Sequence, residues 1–325
     1  MKEIKITDIP GICIGQTENA DAATGCTVII AKDGMDAGVD IRGGGPSSRE
    51  TPLLDARTTN NRIHAVVLAG GSSFGLGAAD GVMQCLEEQG IGFDVGVTKV
   101  PLVVQSDIFD LTVSRADVRP DRAMGYTAAR TALEAPNYKD GSFGAGCGAS
   151  VGKLRGIGYA MKSGIGSFAY RTGELIVGAV VVVNSLCDVK DLKTGRLIAG
   201  ILNDDKKSIG SSYEILKGSY TVTENKFISN TTIGAVITNA RFDKYALARI
   251  AAMGHNGIVR SIDPVNTTAD GDSLYAVSVG DVTADMDVVG SIACEVVSRA
   301  IENAVCNTCG AYGLLSARDI GTAKP

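Results

Sequence analysis

The chain reads as an α/β layered domain, and three stretches point there. After residue 230, an apolar run from Ile233 to Ile237, in a strand predicted over 231–238, is followed by a helix that Asp243 can cap, with Leu247, Ile250 and Ala251 on one face. The loop NTTADGD then leads into a strand, SLYAVSV, and a last helix carries Val289, Ile292, Ala293, Val296 and Ala300 at helical spacing. Strand, helix, strand, helix in succession implies helices layered on a sheet. The second stretch, HAVVLAGGSSFGLGAADGVMQCLEEQG (His64 to Gly90), has the order apolar strand, glycine-rich turn, amphipathic helix. The third, LIVGAVVVV (Leu175 to Val183), shows no polar alternation, so it predicts a strand buried on both faces that stops at Asn184.

The segments between these elements are connections. APNYKDGSFGAGCGASVGK is turn-rich and suits a link between two layers, whereas residues 200 to 230 are polar and weakly periodic, the pattern of an exposed connection. There is no internal repeat and no low-complexity tract.

Composition excludes several classes of function. The 325 residues include 41 glycines, which suits many tight turns and close backbone approaches in a compact enzyme. With 31 basic against 36 acidic residues and no Lys/Arg cluster, there is no electrostatic footprint for nucleic acid or anionic lipid. The longest apolar run is far short of the roughly 20 residues that cross a bilayer. MKEIKITDIPG has no apolar segment of the signal-peptide kind, so a cytoplasmic location is expected. The eight cysteines are then expected to be free thiols, mostly buried. Cys306 and Cys309 form a lone C-x-x-C; with no second pair and only two histidines, His64 and His255, a zinc site is not expected.

Three motifs invite chemistry. Gly71-Ser72-Ser73-Phe74-Gly75 is a formal G-x-S-x-G between strand and helix, the place of a serine hydrolase's nucleophile, with RGGGP upstream faintly like an oxyanion loop. The chain before it is short for the several strands that normally precede such a nucleophile, and a tight turn for helix packing is the preferred reading. GAGCGASVGKL (Gly144 to Leu154) fails as a phosphate loop, because Cys147 stands where the first glycine belongs and Leu154 follows Lys153.

The third motif is NTT at the head of the 231 strand. A threonine hydroxyl is a poor nucleophile without a base, and neither histidine is placed by sequence to serve. Were the Asn230–Thr231 bond cut, Thr231 would carry its own base, a free α-amine of unperturbed pKa about 7.7 to 8.0. From pattern alone, an ordinary loop-to-strand junction is the preferred reading over this self-activated threonine.

NTTIGAVITNARFDKYALARIAAMGHNGIVRSI followed by DGDSLYAVSVGD resembles the self-processing region of the D-aminopeptidase/esterase and β-aminopeptidase family, which includes the nylon-oligomer hydrolases. The likeness extends over nearly the whole chain through ITDIPGICIGQ, GCTVII, VDIRGGGPSSRETPLLD, HAVVLAGGSSFGLGAADGVM, VPLVV, RPDRAMGYTAA, GAGCGASVGKL and AVVVVNSLCDV, in the family order. It implies a four-layer αββα sandwich over residues 1–325, self-cleaved into associated chains of residues 1–230 and 231–325. Such heterodimers commonly assemble further into oligomers.

By the same resemblance, the nucleophile matches Thr231; Thr232 is the rival position, disfavoured on counting back from Thr238-Asn239-Ala240. Asn184 matches the asparagine whose side-chain amide helps bind the oxyanion, a role in which a fixed donor has large effect. Lys153, Asp270 and Asp272 match residues that hold the nucleophile and its amine, and His255 is expected to pack or support rather than act as a base. No metal and no organic cofactor are implied. The substrate would be a short peptide, an amino-acid amide or an amide oligomer. The carboxylate that would meet a free substrate ammonium is not fixed by the resemblance, Asp107 and Asp110 both standing nearby, with Phe109 where some members have tyrosine. The alternatives are a serine hydrolase using Ser73, a non-catalytic small-molecule binder, and an acetyl-transferring relative with the same self-cleavage.

Overall fold

A computed structural model describes residues 1–60, 62–219 and 230–323. Among the described residues, ten strands form one continuous hydrogen-bonded sheet: β1 (Lys2–Ile4), β2 (Cys13–Asn19), β3 (Thr24–Ile41), β4 (Ser48–Arg49), β5 (Arg62–Ala69), β6 (Val103–Asp107), β7 (Ile165–Thr172), β8 (Leu175–Asn184), β9 (Thr231–Ala240) and β10 (Ser273–Val282). Their order is β1-β7-β8-β9-β10-β3-β5-β6-β4, with β2 paired to β3. The helices are α1 (Ala78–Glu88), α2 (Arg122–Glu134), α3 (Ser212–Gly218), α4 (Lys244–Ser261) and α5 (Met286–Cys306).

Three apolar cores separate four layers, αββα. The alternation of side chains along a strand sends successive residues to opposite faces. On β8, Val177, Ala179, Val181 and Val183 pack with Leu247, Ile250, Val296 and Ala300 of α4 and α5. Ile176, Val180 and Val182 of the same strand face the middle core, where they meet Ile29, Val66, Leu68 and Val104. Val28, Ile30, Ala65 and Val67 point the other way, onto Val82 and Leu86 of α1 and Ala128 and Ala132 of α2. The unalternating LIVGAVVVV run is thus a strand with a core on each side, as its sequence predicts.

β3 joins the two halves of the sheet. Its first part pairs with β2 and β5, its last part (Asp36 to Ile41) with β10, and the register shifts between Ile30 and Met35. Close packing against the strand uses glycine: a Cβ on Gly38 would lie 2.2 Å from the backbone nitrogen of Ala248 in α4. Asp243 caps α4 as predicted, accepting from Ala246 N at 2.8 Å.

The expected exposed connection over 200–230 contains the short helix α3; its part over 220–229 lies outside the described residues. No helix among the described residues is long and apolar enough to cross a membrane.

Register brings four strand ends to one place. Asn184, the last residue of β8, is paired with Thr231, the first of β9. β9 runs parallel to β10 with Ile233 opposite Ser273, and Ser273 in turn faces Ile41 at the end of β3. The segments just beyond these ends, 42–46 and 266–272, meet there.

Candidate active site

Thr231 is 2% exposed. Its Oγ donates to the carbonyl oxygen of Asn230 at 2.5 Å, and the same oxygen accepts the Gly271 N–H at 2.8 Å. Asn230 N–H donates to Ala269 O at 2.9 Å, so the peptide before the strand is held from both sides by the 269–271 turn. Gly271 is required there: a Cβ would stand 2.8 Å from Thr231 Oγ and 2.8 Å from Gly45 O. The neighbouring Thr232 hydroxyl is buried without a hydrogen-bond partner among the described residues.

Asn184 is fixed by donors that admit only one orientation of its amide. Lys153 Nζ (2.8 Å) and Ser150 N–H (3.1 Å) both donate, so the atom facing them is Oδ1. Nδ2 then donates to Phe109 O at 2.9 Å, which commits one of its two hydrogens. Lys153 also donates to Asn184 O at 3.1 Å. Burial pushes the Lys153 amine down to about 7, against the opposing pull of Asp270 and Asp110.

Asp270 and Asp272 bind backbone. Asp270 Oδ2 accepts from Thr267 N at 2.7 Å, and Asp272 accepts from Thr232 N at 2.6 Å and from Asn266 N at 3.1 Å. Burial raises the Asp270 carboxyl; burial and then the neighbouring Asp270 charge push Asp272 up to about 8. RGGGP closes over this turn: Gly45 N–H donates to Asp270 O at 2.8 Å and Arg42 N–H to Asp272 O at 3.0 Å. Thr231, Asn184, Lys153, Asp270 and Asp272 are therefore brought together from four separate segments.

Peptidase family S58 matches residues 5–314. The chain belongs to that family. An uncharacterized aminopeptidase of Mycobacterium leprae is 37% identical, covering 92% of this chain and 89% of its own length. A 6-aminohexanoate-oligomer endohydrolase of an Agromyces species is 31% identical over 86% of this chain and 76% of its own. Among solved structures, a Burkholderia β-aminopeptidase superposes with TM-score 0.69 at 19% identity, covering 98% of this chain and 92% of that one. The L-aminopeptidase D-Ala-esterase/amidase of Ochrobactrum anthropi, described as a variant of the Ntn-hydrolase fold, gives TM-score 0.66 at 17% identity, covering 98% and 91%. The S58 chain is a hydrolase of amide bonds, and the αββα architecture is that of its structural neighbours.

The structure also places the other candidates from the sequence. Ser73 is exposed on a 3-10 turn, and among the described residues its hydroxyl meets only that of Ser47, at 3.3 Å. His64 Nδ1 accepts from Leu102 N, and His255 lies buried against Asp40 and Asn266, so neither supplies a base to Ser73. The G-x-S-x-G is a packing turn: a Cβ on Gly75 would lie 2.0 Å from Gly70 O. Cys306 ends α5, and Cys309 is exposed beside Arg318. Asp110 spends both oxygens, on Thr24 Oγ and Gly71 N–H, each at 2.7 Å. Asp107 receives Gln105 Nε2 on one oxygen at 2.7 Å, while the other is buried with no partner among the described residues; burial drives its carboxyl well above the usual range.

Four site components escaped sequence reasoning: the Gly271 N–H, the Ser150 N–H, the Phe109 carbonyl and the RGGGP brace. Three are backbone groups, which carry no residue signature; RGGGP was visible but is assigned by its motif to Ser73.

Proposed function

We propose that this chain is a self-activating amide hydrolase with Thr231 as nucleophile. The observation that carries the reading is the Asn230 carbonyl, which accepts both the Thr231 hydroxyl (2.5 Å) and the Gly271 N–H (2.8 Å). A carbonyl so polarised, beside a hydroxyl on the next residue, is arranged for intramolecular acyl shift. Thr231 Oγ adds to the Asn230 carbonyl carbon, and its proton passes to the departing Thr231 nitrogen as the C–N bond breaks. Water hydrolyses the resulting ester, leaving the Asn230 carboxylate, the free hydroxyl and a free α-amine on Thr231. The pieces, 1–230 and 231–325, remain together because β9 and β10 lie in the sheet between β8 and β3 of the larger piece.

In turnover, the α-amine takes the Thr231 hydroxyl proton and Oγ attacks the substrate amide. The Gly271 N–H, relieved of Asn230, and the second Nδ2 hydrogen of Asn184 receive the oxyanion. Lys153 holds Asn184 in register; Asp270 and Asp272 hold the turn and the strand. The acyl-Thr231 ester is then released by water.

The substrate is a short peptide, an amino-acid amide or an amide oligomer. The unpartnered oxygen of Asp107 favours one with a free ammonium, which would supply the missing partner and ionise the carboxyl. The test is hydrolysis of amino-acid amides, dipeptides and 6-aminohexanoate oligomers, each free or N-acetylated, by wild type and Asp107→Asn. Free amines should be preferred at least tenfold, with KM raised in the variant; equal cleavage of N-acetylated compounds would assign the enzyme to endo-acting hydrolysis instead.

A further inference from the structure

His255 sits in α4, fully buried, and touches neither Thr231 nor Asn184 through any hydrogen bond among the described residues. Its partners nevertheless lead to the nucleophile strand. Nε2 shares a 3.0 Å hydrogen bond with Asn266 Oδ1, and Nδ1 faces Asp40 Oδ2 at 3.1 Å. Arg42 Nε donates to the same Asp40 oxygen at 2.6 Å, and Arg42 Nη2 to Ala252 O at 2.8 Å, one turn before His255 in the same helix. Burial pushes the Asp40 carboxyl up, but His255 and Arg42 together outweigh it and hold Asp40 below its ordinary value.

Asn266 is unusual in its backbone. Its φ is +57°, a left-handed conformation that asparagine tolerates better than other non-glycine residues. In that conformation its N–H meets Asp272 Oδ2 at 3.1 Å, while the other Asp272 oxygen accepts the N–H of Thr232 at 2.6 Å. Asp272 is therefore a clamp between the 266 turn and the residue after the nucleophile. The anchor of that turn on the helix side is the His255 ring.

We propose that His255 is a positioning residue for Thr231: by gripping Asn266 it fixes the Asp272 side chain on the Thr232 N–H, and so sets the angle of the Thr231 hydroxyl. The inference rests on Thr231 being the nucleophile. It separates two functions of the imidazole by atom, since glutamine at 255 can reach Asn266 in place of Nε2, whereas asparagine can reach only Asp40 in place of Nδ1.

The experiment compares wild type with His255→Gln, His255→Asn and His255→Leu, measuring self-cleavage rate, kcat and KM on the best amide substrate. His255→Leu and His255→Asn should lower kcat and the cleavage rate about tenfold with KM within twofold, a displacement effect rather than a binding one. His255→Gln should recover most of the loss. Asn266→Gly, which adopts positive φ without a side-chain anchor, should make a second change at His255 nearly silent, as coupling in a shared path requires. Glutamine and asparagine variants with equal kcat, or additive losses in the Asn266→Gly background, would overturn the positioning role while leaving Thr231 intact. A wild-type chain that neither cleaves nor hydrolyses would instead remove the Thr231 reading, and this one with it.

Discussion

Two buried lysines set the candidate active centre against the scaffold. Lys153 and Lys162 are 2% and 0% exposed, and burial brings both amines down to about 7. Lys162 donates to three backbone carbonyls, of Gly146, Ala149 and Ser163, and so ties one loop together. Lys153 donates instead to Asn184 Oδ1 and O, with Asp270 and Asp110 close enough to pull on its charge. A displaced titration follows from burial alone; what a group does follows from whom it bonds. Lys162 holds only backbone, whereas Lys153 also orients a side chain, Asn184, which the proposed mechanism uses.

The widest test of that contrast is a pair of substitutions. Lys153→Met should lower self-cleavage and kcat/KM on the order of 10²-fold, the scale of losing a fixed group behind an oxyanion donor. Lys162→Met should leave the folded enzyme within about threefold of wild type but lower its Tm, because buried acceptors left unpaired cost about 1–3 kcal/mol each. Activity and Tm measured on both variants decide it; equal catalytic losses would erase the distinction.

Gly271→Ala comes next. The new Cβ would crowd Thr231 Oγ and Gly45 O at 2.8 Å, so cleavage of the Asn230–Thr231 bond should slow at least tenfold in a protein that still folds, given how steeply rate depends on alignment. A time course of precursor conversion reads this directly.

A smaller effect lies in pH. Burial raises the carboxyls of Asp270 and Asp272, so the folded chain holds protons that unfolded aspartates have released above about pH 4. Stability from these groups is complete below that pH and is lost as pH rises toward neutrality. Asp272→Asn should therefore flatten the fall in Tm between pH 4 and pH 7, measured on the Thr231→Ala background so that chain number stays constant. The smallest effect expected is that of Ser73→Ala, within twofold on cleavage and turnover, since among the described residues the exposed Ser73 hydroxyl meets only Ser47.

How far the sequence reaches is clear from particular elements. β8 and β9 are legible because strands with a core on each side need long apolar runs, and α4 and α5 because a helix covering one face of a sheet repeats its apolar residues every three or four. β3 is not, since Lys32-Asp33-Gly34 interrupts its pattern where the register shifts and the strand changes partners. In the site, Thr231 is legible from its own chemistry as an alternative to a plain strand start. Lys153, Asn184, Asp270 and Asp272 come through family resemblance, because nothing local says that residues so far apart share one sheet edge. That Lys153 is buried is invisible in advance, lysine being among the residues least often found inside. The grip of His255 on Asn266 depends on a backbone angle that only the folded turn creates.

The most direct measurement is the intact mass of the purified chain under denaturing conditions, with sequencing of each amino terminus, for wild type and Thr231→Ala. Two chains in wild type, the shorter beginning TTIGAV, and one uncut chain in the variant are the expected result. A folded wild-type chain that hydrolyses amides while remaining a single uncut polypeptide would contradict the account.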